Sequence, residues 1–263
     1  QTIRDYALLM ITDVTEMRRR QEEVHLNALK ALMAEEDLVQ GMRETVNGAI
    51  HQLQGPVNLL ATAVSMLERR NDERDSYLRG ALEDALKSGR EALASLTGSL
   101  PPANEEMKKP VNVNELLREA LALSTEPLLM NGITVEWQPS LHLPAVVGQE
   151  RRLRSMFKQL IINAIEAMSE RSVKVRELTI ITATEKDGVT IELKDSGPGI
   201  SAELMVKVFE PFFSTKVGRA GARGMGLPMV QEIANDHSGS VHIDPNYTSG
   251  CRFVIHLPLN AAH

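Results

Sequence analysis

Seven apolar residues, Val46, Ile50, Leu53, Val57, Leu60, Val64 and Leu67, follow one another at separations of 4, 3, 4, 3, 4 and 3. A strict seven-residue repeat places all of them on one helical stripe and excludes a strand. The pattern stops at Arg69-Arg70-Asn71-Asp72, and a second helical spacing follows through Leu78, Leu82, Ala85, Leu86, Leu93 and Leu96. Two antiparallel helices with one apolar seam each bury it poorly alone. The expected solution is a homodimer that forms a four-helix bundle over residues 46–98.

Upstream, Tyr6-Ala7-Leu8-Leu9-Met10-Ile11 reads as a short strand. Asp13 with Glu16 has the form of a helix capping box. The charged run Met17–Glu23 holds neither Gly nor Pro, so a helix is expected to start here and continue over 14–45. Downstream, Pro101-Pro102 cannot continue a helix and marks a linker over 99–111. Beyond it the spacing predicts helices over 114–123, 149–169 and 225–237. Strands are predicted at 133–137, 178–184, 189–195, 240–243 and 252–257, with a hairpin turn at Lys186-Asp187-Gly188. Residues 112–263 therefore read as a mostly antiparallel α+β layer fold.

Composition narrows the function. Lys+Arg 29 against Asp+Glu 35 gives a net charge of −6, which argues against direct nucleic-acid binding through phosphates. The single cysteine, Cys251, excludes an intrachain disulfide framework. No apolar run reaches the roughly 18 residues of a membrane span, so a cytoplasmic chain with no membrane contact is expected. Gln1 reads as the start of an excised fragment.

Three features carry chemistry. Asp195-Ser196-Gly197-Pro198-Gly199 ends a strand in a sharp turn whose carboxylate can accept from an exocyclic amine such as that of adenine. Gly218, Gly221, Gly224 and Gly226 then lead into a helix at Leu227. That arrangement presents backbone N–H groups to an anion, with Lys216, Arg219 and Arg223 adding positive charge. Asn163 is a polar residue in an apolar helical stretch, with the hard oxygen of a Mg²⁺ ligand.

Taken in order, these pieces resemble the sensor histidine kinase family. Gln159-Leu160-Ile161-Ile162-Asn163 resembles the N box, Asp195–Gly199 the G1 box, Phe209–Lys216 the F box and Gly224–Leu227 the G2 box. His237-Ser238-Gly239 and Arg252–Pro258 resemble the closing segment. His51-Gln52-Leu53-Gln54-Gly55-Pro56 resembles the H box, whose histidine is the phosphoacceptor. Ile11–Glu16 resembles the exit from a PAS domain over 1–13.

The resemblance implies a Bergerat-type (GHKL) α/β sandwich that binds ATP or ADP with Mg²⁺. It assigns nucleotide contacts to Asn163, Asp195, Gly197, Gly199, Lys216, Gly224, Gly226 and Leu227. The metal falls to Asn163, with Gln159 as a second ligand, and the phosphoacceptor position to His51.

Two positions depart from the family's pattern. Gln52 stands where an acid usually follows the histidine, and an amide has no useful basicity as a general base. Gln159 stands where an Asn is usual, and where gyrase-like ATPases carry a Glu that activates water. The nucleotide site thus reads as complete and the phosphotransfer site as impaired. Within the family, the string Ala49–Leu60 most resembles negative regulators of nitrogen fixation. That resemblance implies a NifA-like transcription activator and a PII-type signal protein as partners. The expected function is a nucleotide-responsive regulator. The alternative is an active kinase that phosphorylates His51 and passes the group to a response-regulator Asp.

Overall fold

The computed structural model describes residues 15–70, 76–98, 106–169, 173–215 and 224–259. The PAS exit lies mostly outside them, as do Lys216, Gly218, Arg219, Gly221 and Arg223 of the glycine-rich loop.

The first helix, α1, runs from Thr15 to Arg70 without a break at residue 45 or at Pro56. Its 56 residues span about 84 Å at 1.5 Å each. The helix therefore carries both the expected signalling segment and the heptad stripe as one rod. Helix α2, Ser76–Gly98, packs back along it. Val57 meets Gly89 of α2, where an added Cβ would lie 3.1 Å from the valine Cγ2. Along the heptad stripe Val64 is buried, Val46, Ile50, Val57 and Leu60 are half-buried and Leu53 is exposed. One hairpin covers its seam only in part.

After the linker, β1 (Lys109–Val111) is followed by α3 (Val113–Leu123), α4 (Thr125–Met130), β2 (Thr134–Gln138) and β3 (Val146–Gly148). Then come α5 (Glu150–Met168), β4 (Glu177–Thr184), β5 (Gly188–Asp195), α6 (Gly226–Asp236), β6 (Ser240–Ile243) and β7 (Cys251–Pro258). The main sheet has the order β2-β4-β5-β7-β6, and β1 pairs with β3 in a separate two-stranded ribbon. All pairings in the main sheet are antiparallel except β2 with β4, which is parallel.

Alternation along the strands explains the layers. Leu178, Ile180, Ile191, Leu193, Phe253 and Ile255 point to one face, where they are buried against α3, α5 and α6. The opposite face is polar: Arg252 bonds Glu192 and Asp244, and Lys194 also pairs with Glu192. Helix α5 buries Leu153, Met156, Phe157, Leu160, Ile161, Ala164, Ile165 and Met168 at helical spacing. Each large side chain buried this fully contributes about 1.5–3 kcal/mol.

Charged residues fix the ends of this helix layer. Arg154, 6% exposed, donates to Glu119 of α3 at 2.7 Å and to Glu150 at 2.6 Å. The Glu106 carboxylate accepts from the backbone N–H of Arg151 at 3.0 Å, an anion at the positive end of α5. His237 Nε2 accepts from the Gln149 N–H at 2.9 Å, and its Nδ1 bonds the Ile233 carbonyl at 2.7 Å. Burial lowers the His237 pKa, so the ring serves as a neutral bridge between α5 and α6.

Candidate functional site

Helix α5 carries a second stripe beside its buried face: Gln159, Asn163 and Ala167, four residues apart and so stacked on one side. Two glycines touch its ends. A Cβ on Gly226, the first residue of α6, would lie 2.6 Å from Gln159 Nε2. A Cβ on Gly197, in the turn after β5, would lie 3.0 Å from the Ala167 Cβ. From Gln159 to Ala167 the helix rises eight steps, about 12 Å. The turn after β5 thus meets one end, the start of α6 meets the other, and Asn163 lies halfway. The three boxes read from the sequence converge on a single helix face.

At the first end, Asp195 closes β5 and is 4% exposed. Its Oδ1 accepts from the backbone N–H of Gly197 at 2.9 Å and of Cys251 at 3.3 Å. Both recorded bonds fall on one oxygen, leaving Oδ2 to accept from an amine donor. Burial raises the carboxyl pKa, and the two N–H groups partly oppose that shift. An exocyclic amine would relieve the same cost. The neighbouring Cys251 thiol is pushed up to about 12 by burial, which rules it out as a nucleophile near neutral pH.

Gly250 completes this end, and the sequence reading missed it. Its φ is +152°, and a Cβ there would fall 1.8 Å from the Asp195 carbonyl oxygen. A Cβ on Gly199 would meet the Gly250 carbonyl oxygen at 2.8 Å. The backbone before β7 therefore presses directly on the Asp195 turn. The Ser249-Gly250 dipeptide before a strand was the available signal. Ala167, four residues beyond Asn163, was legible from helical spacing alone.

At the other end, α6 begins at Gly226 with no side-chain cap from Met225. Its first N–H groups are those an anion can occupy. Pro228 in the first turn has no N–H to leave unpaired. The preceding loop is closed at its base: the Phe212 N–H donates to the Gly224 carbonyl at 3.0 Å. Gly224 has φ +66°, and a Cβ there would lie 2.5 Å from the Phe213 carbonyl oxygen, so the closure needs glycine.

Between the ends, the Gln159 Nε2 donates to Asn163 Oδ1 at 3.0 Å. Asn163 Nδ2 is buried without a hydrogen-bond partner. An orphaned buried polar atom in a helix that touches two glycine turns fits a site completed by a polar ligand. Both amides offer hard oxygens suited to Mg²⁺. Lys216 lies outside the described residues, and so does the side chain of His51, whose backbone is in α1.

The arrangement is that of a Bergerat-type nucleotide-binding sandwich: a layered α/β domain with an acid turn and a glycine-flanked helix start on one helix. Residues 148–261 match the family described as histidine kinase-, DNA gyrase B-, and HSP90-like ATPase. The chain is 25% identical over 256 residues to the signal transduction histidine-protein kinase AtoS of Escherichia coli (strain K12), covering 97% of this chain and 39% of AtoS. It is 31% identical over 151 residues to the sensor histidine kinase ZraS of Escherichia coli O157:H7, covering 57% of this chain and 31% of ZraS. Among solved structures, the nucleotide-free catalytic domain of histidine kinase ThkA is similar with a TM-score of 0.51 and 28% identity, covering 58% of this chain and 95% of that domain.

The chain is similar to histidine kinases over nearly its whole length, and the family match at residues 148–261 falls on its α/β domain. It spans well under two thirds of the length of AtoS and ZraS. No helix among the described residues is long and apolar enough to cross a membrane.

Proposed function

We propose that the chain is an adenine-nucleotide-responsive regulator whose output is a protein contact gated by nucleotide occupancy. The carrying observation is the stripe of Gln159, Asn163 and Ala167, with the Asp195 turn at one end and the start of α6 at the other. Asp195 would orient the adenine through its exocyclic amine. Gly226 and Leu227 would offer backbone N–H groups to phosphate oxygens, and Asn163 would hold Mg²⁺. The metal would supply charge neutralisation of the phosphates.

The output side rests on two features. Gln52 beside His51 cannot take a proton from the imidazole. Phe212 links the start of α6 to α1, since its N–H bonds the Gly224 carbonyl and its ring lies against Gly48, three residues before His51. Nucleotide that binds one loop arrangement better than another biases the surface around α1. The partly covered heptad seam supports a homodimer through α1 and α2.

The resemblance of Ala49–Leu60 to NifL, the negative regulator of nitrogen fixation, points to a NifA-like transcription activator as the inhibited partner and a PII-type protein as a second input. The alternative, an active sensor kinase phosphorylating His51, is favoured by the presence of His51 itself and by the kinase relatives. Calorimetric titration with ADP and ATP tests the proposed site. We expect both to bind, with affinities within about tenfold of each other. Failure of both to bind removes the proposal.

A further inference from the structure

We infer that Glu185, Asp187 and His256 form a surface binding site for a divalent transition metal such as Zn²⁺. The trio sits at the end of the sheet remote from the nucleotide residues. Strand β5 begins beside it at Gly188 and ends at Asp195, seven steps and about 23 Å away. Glu185 and Asp187 stand in the turn between β4 and β5. His256 lies on β7, on the polar face of the sheet, directly across from Thr190 of β5. Its Nδ1 is 3.8 Å from Glu185 Oε2, and its Nε2 is 4.0 Å from Asp187 Oδ1. One ring nitrogen and one oxygen from each carboxylate all lie within 4.8 Å of one another. Among the described residues, no other trio of His, Cys, Asp and Glu meets at that spacing.

The donor set selects the metal. An imidazole nitrogen with two carboxylate oxygens suits Zn²⁺, whereas Mg²⁺ prefers oxygen alone. Metal–donor bonds of about 2.0–2.2 Å place neighbouring donors of a tetrahedral ion roughly 3.4 Å apart. Closing the trio from 4.8 Å therefore asks for a shift of about 1.4 Å. The carboxylates that must move are exposed, at 52% for Glu185 and 80% for Asp187, so the shift breaks no packing. The surroundings already aim the other parts. The buried Thr190 hydroxyl donates to Glu185 Oε1 at 2.5 Å, which leaves Oε2 towards the ring. An outer hydrogen bond of this kind orients a metal-binding carboxylate. Gly188 leaves the room that the imidazole occupies: a Cβ there would fall 2.5 Å from its Cε1 and 2.8 Å from its Nε2. The Leu259 N–H holds the Asp187 carbonyl at 3.2 Å, next to the last residue of β7. Three protein donors leave a fourth position for water. A bound ion would pin the β4–β5 turn to β7.

The test is calorimetric titration with ZnCl₂ of the chain stripped of metal by EDTA and then freed of the chelator, with and without excess MgCl₂. The variants are His256→Ala and the double change Glu185→Gln with Asp187→Asn. None of these residues belongs to the nucleotide site, and the two amides keep the shape of the turn. The parent is expected to bind one Zn²⁺ per chain in either condition, and each variant to bind it at least about tenfold more weakly. A parent that takes up no Zn²⁺ at millimolar concentration overturns the inference and leaves the three groups as ion pairs; this arm does not depend on a variant folding. Parental Zn²⁺ affinity in either folded variant overturns it as well. So does displacement of the Zn²⁺ by Mg²⁺, which would mark a set of exposed carboxylates rather than a site built on His256.

Discussion

Phe212, at the base of the glycine-rich loop, lies against Gly48 of α1: a methyl group added at 48 would sit 3.5 Å from the ring Cε1. The same Phe212 donates its N–H to Gly224 and has φ +66°. One residue therefore ties the loop closure to the helix that carries His51. In the proposed mechanism this contact carries loop rearrangement from the phosphate end to α1.

The contact allows a graded test. Gly48→Ala introduces ordinary van der Waals contact and removes a flexible residue from a helix interior, so α1 should gain about 0.8–1 kcal/mol. Gly48→Leu should push Phe212 away. ADP should slow hydrogen exchange around residue 48 in the parent and the Ala variant, but not in Gly48→Leu. Equal protection in all three would show that Phe212 transmits nothing.

Acidification should weaken nucleotide binding through Asp195. Its native pKa is raised from 3.8 by burial. The native state therefore holds the proton more tightly than the unfolded chain, and stability falls as pH rises from 3.8 through the native value. Above that window the ionised carboxylate is a cost that the adenine amine offsets. ADP affinity, measured by calorimetry, should drop on acidification before ordinary carboxylates titrate. Asp195→Asn should bind more weakly at neutral pH and lose that dependence. Parental affinity in the variant would show that the turn does not hold the base.

Much of this architecture was legible beforehand. The α5 stretch carries a long 3.6-residue period, and β4 and β5 are eight-residue strands around a turn in which the Glu185 N–H bonds the Gly188 carbonyl. Strands β1 and β3 have three residues each, too few for alternation to show. Helix α4 has six residues and follows α3 after Ser124 alone, so its spacing merges with its neighbour's. The parallel pairing of β2 with β4 is a tertiary choice that strand pattern does not encode.

Within the site, the boxes announced their residue types but not their meeting on one helix face. Gly250 had only the turn signal of Ser249-Gly250 before a strand, because the demand for glycine comes from the distant Asp195 carbonyl pressing on it.

Gly250→Ala should accordingly be among the most damaging small substitutions. The φ of +152° disfavours any side chain, and the methyl would overlap the Asp195 carbonyl oxygen. Strain of this type costs about 1–3 kcal/mol, before any shift of the turn. Thermal denaturation should show that loss, and ADP affinity should fall with it. Retention of both would mean that the turn yields without consequence.

The heptad seam predicts assembly. Leu53 is 44% exposed on the hairpin, although it lies on the same stripe as buried Val64. Light scattering at micromolar concentration should give a dimer. Leu60→Asp should give monomers, because a buried unpaired charge is strongly penalised. A monomeric parent would contradict the bundle.

The central claim is that nucleotide occupancy, not phosphorylation of His51, is the signal. Incubation of the chain with γ-labelled ATP, followed by a search for acid-labile, base-stable label, addresses it most directly. The expected result is ATP binding with no label on His51 above that of His51→Ala. Stoichiometric label that disappears in His51→Ala would contradict the account and establish a working kinase.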